Sequence, residues 1–229
     1  MIYKELDRYE GKAHEQMADR LRYAFGGSLV VDVVNGLVLR TGAIHTQMHH
    51  LIIHPYGMIL VENVDLPGTI SIDANWHWVH SHQGEATQIP SPVTETKIQA
   101  LALEAYLDKK VKQKSYFHSL ELDVLVAVPD VAAITWPRSG AFPEVCNADQ
   151  VPNRIKECVA DYRRDAGTQA KLVPNQRQRL AEFLRASHKG VGLPKLVTNG
   201  DDRPSTRGSD LGPASGPDWL PSSRTTDLS

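Results

Sequence analysis

Apolar and polar positions change period several times along this chain, and each change predicts an element. Over residues 7–24, Tyr9, Ala13, Met17 and Leu21 recur at helical spacing between charges, and Gly26-Gly27 follows. That pattern predicts an amphipathic first helix carrying Glu15 and stopped by the glycines. A Val/Leu/Ile run over 29–39, interrupted at Asn35-Gly36, predicts a strand that is either bulged at Gly36 or folded back there as a hairpin. Residues 46–64 hold two apolar runs joined by Pro55-Tyr56-Gly57, the signature of a β-hairpin. Short strands over 68–72 and 75–82 extend this to four or five consecutive strands, read as an antiparallel meander. Pro92 then opens a helix to about residue 112, with Ile98, Leu101, Ala105 and Val111 among its apolar positions. Two more strands are predicted over 120–128 and 132–136, and two helices over 151–162 and 175–188. From residue 198 the chain turns to Gly, Ser, Thr, Asp and Pro, which predicts a disordered tail. The organisation is thus a sheet-and-helix domain over 1–137, a helical extension over 138–197 and the tail over 198–229.

Composition narrows the function classes without choosing one. The 229 residues are 41% hydrophobic, enough for a sizeable core, and no apolar run has the length of a membrane helix. No hydrophobic leader follows Met1, so the expectation is a cytoplasmic protein without a membrane partner. The formal net charge of -2 provides no global attraction for nucleic acid, so any DNA contact is local. The basic clusters at 109–114 and 177–185 are the places to look, against the plainer reading of solvated helix faces. Cys146 and Cys158 are expected as reduced, buried thiols. Trp219-Leu220 within the tail is a short segment by which a protein partner could be held.

Candidate chemistry concentrates on the hairpin. Strand pairing there brings His49, Glu62 and Val64 toward one another. The blocks Thr46-Gln47-Met48-His49-His50, Pro55-Tyr56-Gly57 and Glu62-Asn63-Val64 resemble the core of the nuclease-related domain (NERD) family of bacteria and plants, roughly T-Q-I-D-H, an apolar run, P-x-G, a second apolar run and E-x-K. Gly11-Lys12-Ala13-His14-Glu15 upstream, then Pro67-Gly68-Thr69-Ile70, Trp76 in a strand, and Ser91-Pro92-Val93-Thr94-Glu95 downstream keep the order of the family's other blocks, so the resemblance covers about residues 9–113. It implies an α/β (α+β) restriction-endonuclease-like fold, a central mixed sheet flanked by helices. It also implies a site in which two carboxylates hold magnesium and a lysine orients the attacking water. The chain departs from that site at two of its three central positions. His49 stands where the family has Asp, Val64 stands where it has Lys, and Glu95 replaces a Gln.

Three readings follow. In the first, the nuclease centre has decayed and the fold serves DNA metabolism or defence as a binding or scaffold module. In the second, it is a divergent metal-dependent endonuclease: Glu62, Glu15 and His49 hold a divalent ion, Mg or a softer one such as Mn or zinc, and Glu95 or Lys97 from the second helix supplies the missing carboxylate or ammonium. The third rests on the histidines. On strand alternation His45 shares a face with His49, His50 with His54, and His80 with His82, which would suit a structural zinc site. No C-x-x-C or H-E-x-x-H accompanies them.

Overall fold

In the computed structural model, residues 3–41, 44–110, 120–165 and 169–187 are described. The first helix, α1 (Tyr3–Phe25), turns Met17, Ala18, Leu21 and Phe25 into the core. Six strands precede the second helix: β1 (Asp32–Thr41), β2 (Ile44–His54), β3 (Gly57–Asn63), β4 (Thr69–Ile72), β5 (Trp78–His82) and β6 (Glu85–Ile89). After α2 (Pro92–Lys110) come β7 (Glu121–Val128), β8 (Ala133–Thr135), β9 (Val145–Asn147), α3 (Val151–Asp165) and α4 (Pro174–Ser187).

The strands form two mixed sheets flanked by helices, the fold class expected, but not the single meander expected. The larger sheet has the order β1-β2-β3-β7-β9, antiparallel from β1 to β3 and parallel from β3 to β9. The smaller has the order β6-β5-β4-β8, with β8 parallel to β4. The parallel pairing of β3 with β7 is tight, since a Cβ on Gly57 would stand 2.0 Å from the Glu121 carbonyl oxygen.

Alternation along β3 and β7 sorts the core into two layers. Met58 and Leu60, with Val124, Val126 and Val128, face a layer shared with Ala100, Leu103 and Leu107 of α2 and Leu180, Ala181 and Leu184 of α4. Ile70, Ile72 and Trp78 of the smaller sheet join that same layer. Ile59, Val61, Leu125 and Ala127 face the other layer, with Met17, Leu21 and Phe25 of α1 and Val151 and Ile155 of α3. Arg177 is buried and ties α4 to the sheet, donating from its guanidinium to Asp32 at 3.3 Å and to the Leu29 carbonyl at 2.6 Å. One cation of the 177–185 cluster is therefore a structural clasp. Of the 109–114 cluster only Lys109 and Lys110 lie among the described residues; the tail with Trp219-Leu220 lies outside them.

Gly36 neither ends β1 nor starts a hairpin. Asn35 pairs with His50 and Leu37 with Met48, while Gly36, at φ 62°, has no recorded partner. Across this kink the alternation slips by one on both strands: Val34 and Leu37 face the same layer, as do Met48 and Leu51. Only glycine enters that backbone region without steric cost. The slip sits beside His49.

Candidate functional site

The kink explains an arrangement that regular alternation forbids. Consecutive strand residues point to opposite faces, yet His49 and His50 both contact His14 of α1, with ring centroids 5.3 Å and 4.5 Å away. His14 and His50 are stacked within 17° of parallel. His50 is fully buried and its hydrogen bonds are complete: Nδ1–H donates to Asn35 Oδ1 at 2.8 Å, and Asn63 Nδ2–H donates to Nε2 at 2.9 Å. Accepting at Nε2 while donating at Nδ1 requires the neutral ring, and burial first, then the neighbouring His14 and His49, holds its pKa well below the ordinary value.

Beside it, His49 Nδ1 accepts the backbone N–H of Asn63 at 3.1 Å and lies 3.1 Å from Glu62 Oε1. A ring nitrogen that accepts a backbone proton carries none of its own. Burial, reinforced by His14, brings the His49 pKa down to about 4, so the ring is neutral at physiological pH. Glu62 and His49 are therefore brought together, as the hairpin predicted, with a neutral imidazole where the resemblance implies a carboxylate.

The remaining expected site residues are placed elsewhere. Glu15 is exposed on α1, one residue from His14, whose ring its charge reaches electrostatically. Glu95 is exposed in the first turn of α2. Lys97 is engaged 3.3 Å from Glu144 Oε1, with its ammonium 5.5 Å from the centre of the Trp76 ring. Val64 follows β3, packs its methyls against the core and lines a cavity of about 380 Å³ at the C-terminal ends of β3 and β7. Lys12 and Arg20 of α1 line the same cavity, and Arg20 is paired with Asp130.

His14 was not among the residues expected at the site. Its signal was present, because position 14 continues the buried stripe Ala18, Leu21 and Phe25 one turn toward the N-terminus. Asn35 and Asn63 were also missed, although a polar residue inside an apolar strand asks for a buried partner.

The other histidines are scattered. His54 is buried against Tyr162 of α3, His77 lies 2.9 Å from Asp73, and His80 and His82 stack on each other in the smaller sheet. The side chain of His45 lies outside the described residues. Among the described residues no group of three or more His, Cys, Asp or Glu is arranged to hold a metal ion. Both cysteines are free thiols, raised by burial to about 12. No helix among the described residues is long and apolar enough to cross a membrane.

The donor set decides which ions the Glu62 centre suits. Magnesium prefers octahedral oxygen ligands, and one carboxylate beside an imidazole nitrogen is a poor match. Residues 10–127, more than half of the chain, match the family model for the nuclease-related domain. No curated protein and no solved structure gives a match. With that match and its two mixed sheets flanked by helices, the chain belongs to the nuclease-related domain family.

Proposed function

We propose that this protein is a catalytically silent nuclease-fold module that binds DNA, within DNA metabolism or defence. The observation that carries the reading is the state of His49. Its Nδ1 is committed to the Asn63 N–H and its ring is kept neutral, so the carboxylate pair that would hold a hard divalent ion is reduced to Glu62. Val64 adds a second loss, since methyl groups neither orient water nor offset phosphate charge. Lys12 and Arg20 line the adjoining cavity together with Asp65 and Asp130, so a phosphate backbone bound there would take the two cations over from these carboxylates.

Supercoiled and linear DNA incubated with the protein in magnesium and in manganese tests this directly. The expected result is salt-dependent association with no cleavage, in the native protein and in Glu62→Ala alike. Cleavage that disappears in Glu62→Ala would replace the proposal with a second reading, a divergent nuclease using a softer ion. One contact favours that alternative: two acceptor atoms, His49 Nδ1 and Glu62 Oε1, approach to 3.1 Å, a spacing that suits two ligands of one manganese or zinc ion.

A further inference from the structure

A second recognition element lies away from the Glu62 centre, around Trp76. β4 and β5 are joined by a turn in which the Trp76 N–H donates to the Asp73 carbonyl and the Asp73 N–H to the His77 carbonyl. The Asp73 carboxylate also accepts the N–H groups of Asn75 and His77. This is a three-residue loop whose last position is left-handed, a place that ordinarily takes glycine. Here it is tryptophan, at φ 64°. The only other non-glycine with positive φ among the described residues, Gln83, sits in the two-residue Gln83-Gly84 hairpin, where the turn type requires it. An indole at a glycine position is strained, and strain of this kind persists where the surroundings fix it.

The strain places the indole flat against Phe142, with centroids 3.9 Å apart and planes 26° from parallel. Trp136 meets the same phenyl ring edge-on at 6.1 Å, and the Lys97 ammonium lies over the Trp76 ring. Trp76 does not reach the cavity of about 490 Å³ that Trp136 and Phe142 line. It backs Phe142 and so fixes the aromatic wall. The rim carries Gln150, suited to the edge of a heteroaromatic ring, beside Asn147 and Arg154, whose donors are bonded to the Pro129, Ala132 and Pro143 carbonyls and to Glu157. Lys97 is paired with Glu144, and Arg154 with Glu157, so this face presents little net charge.

The geometry points to this cavity as a stacking subsite for an unpaired nucleobase of single-stranded DNA, with Trp136 as the ring it stacks on and Phe142, set at 70° to Trp136, closing the side. The proposal rests on the DNA-binding reading and deepens it by naming single strands as the substrate class. Base stacking on aromatic rings tolerates any sequence, and because it releases no counterions its contribution is insensitive to salt.

The test titrates the full chain with oligothymidylate and with a duplex of equal length, at low and at physiological salt. Fluorescence anisotropy of labelled DNA and quenching of the protein's own tryptophan emission are both recorded. Single strands are expected to quench that emission. Trp136→Leu, which keeps apolar bulk without a π face, weakens single-strand binding about tenfold, by the same factor at both salt concentrations, while Trp136→Phe keeps most of it. Duplex binding stays unchanged in both variants. Absent quenching in the native protein, or single-strand binding unchanged in Trp136→Leu, overturns the subsite and leaves the DNA-binding reading standing. No association with either form of DNA overturns both, and an aromatic or proline-rich peptide that quenches while DNA does not reassigns the wall to protein recognition.

Discussion

Two clusters of rings in this molecule are built in opposite ways. At the β2–β3 end of the larger sheet, His14, His49 and His50 turn toward one another, and Asn35, Asn63 and Glu62 meet the polar atoms of His49 and His50 from the strands, while His14 Nδ1 is buried without a hydrogen bond among the described residues. Around the β4–β5 turn, Trp76, Phe142 and Trp136 remain only half buried, and one of them is held in a strained backbone to keep the wall in place. The first cluster uses the polar atoms of His49 and His50 internally, at the place where the family would do chemistry. The second leaves its recognition capacity facing out. A protein that has exchanged hydrolysis for binding would be expected to divide its rings in this way.

Breaking the first cluster has the largest expected effect of any single substitution. His50→Ala removes the partner of Asn35 Oδ1 and of Asn63 Nδ2 and opens a cavity beneath His14. Stranded polar groups and the lost packing together make this a loss of about 4 kcal/mol, read as a lower urea midpoint at unchanged slope. Single-strand binding per folded molecule should stay the same, because the aromatic wall lies on other elements. A substitution that left stability intact would show that the bonds at His50 do not hold the kink together.

Acid should act next, on the same cluster and on His54 outside it, with a smaller effect for each group. His49 and His54 both titrate near 4 in the folded protein, lowered chiefly by burial from 6.5, and His14 and His50 shift in the same direction. As pH falls below 6.5 the unfolded chain takes up these protons first, so stability is full above that value and declines down to about pH 4. A shift of this size is worth about 3 kcal/mol for each of His49 and His54. Urea unfolding at pH 7, 5.5 and 4.5 measures it. A flat profile across that window would mean that the rings are solvated, and that the neutral His49 on which the silent-centre reading stands is absent.

Much of this design was legible in the chain before any coordinates, for reasons that vary from element to element. The hairpin that joins His49 to Glu62 follows from two apolar runs broken at Pro55-Tyr56-Gly57, and in the structure Pro55-Tyr56 form the loop with His54 paired to Gly57. The slip at Gly36 was not legible in full, because a glycine in a strand announces an irregularity without saying whether the chain bulges, folds back or rotates. β6 escaped notice since Glu85, Ala86, Thr87 and Gln88 are all exposed and carry no apolar period. The apolar character of Trp76 suggests a strand residue. Asp73 and Asn75, both turn formers, decide otherwise. The placement of Lys97 over Trp76 depends on how two sheets and α2 come together, and no local pattern records that.

The smallest expected effect isolates the strain itself. Trp76→Ala and Trp76→Gly both delete the indole and its contacts with Phe142 and Lys97, so packing losses are common to the two. Only the glycine variant also relaxes a backbone held at φ 64°, so Trp76→Gly should be the more stable by about 1 kcal/mol. Both should lose single-strand binding to a similar degree, since Phe142 is no longer backed in either. Should the glycine variant prove no more stable than the alanine one, the turn would not be strained, and Trp76 would be an ordinary member of the core rather than a residue kept at a glycine position to hold the aromatic wall.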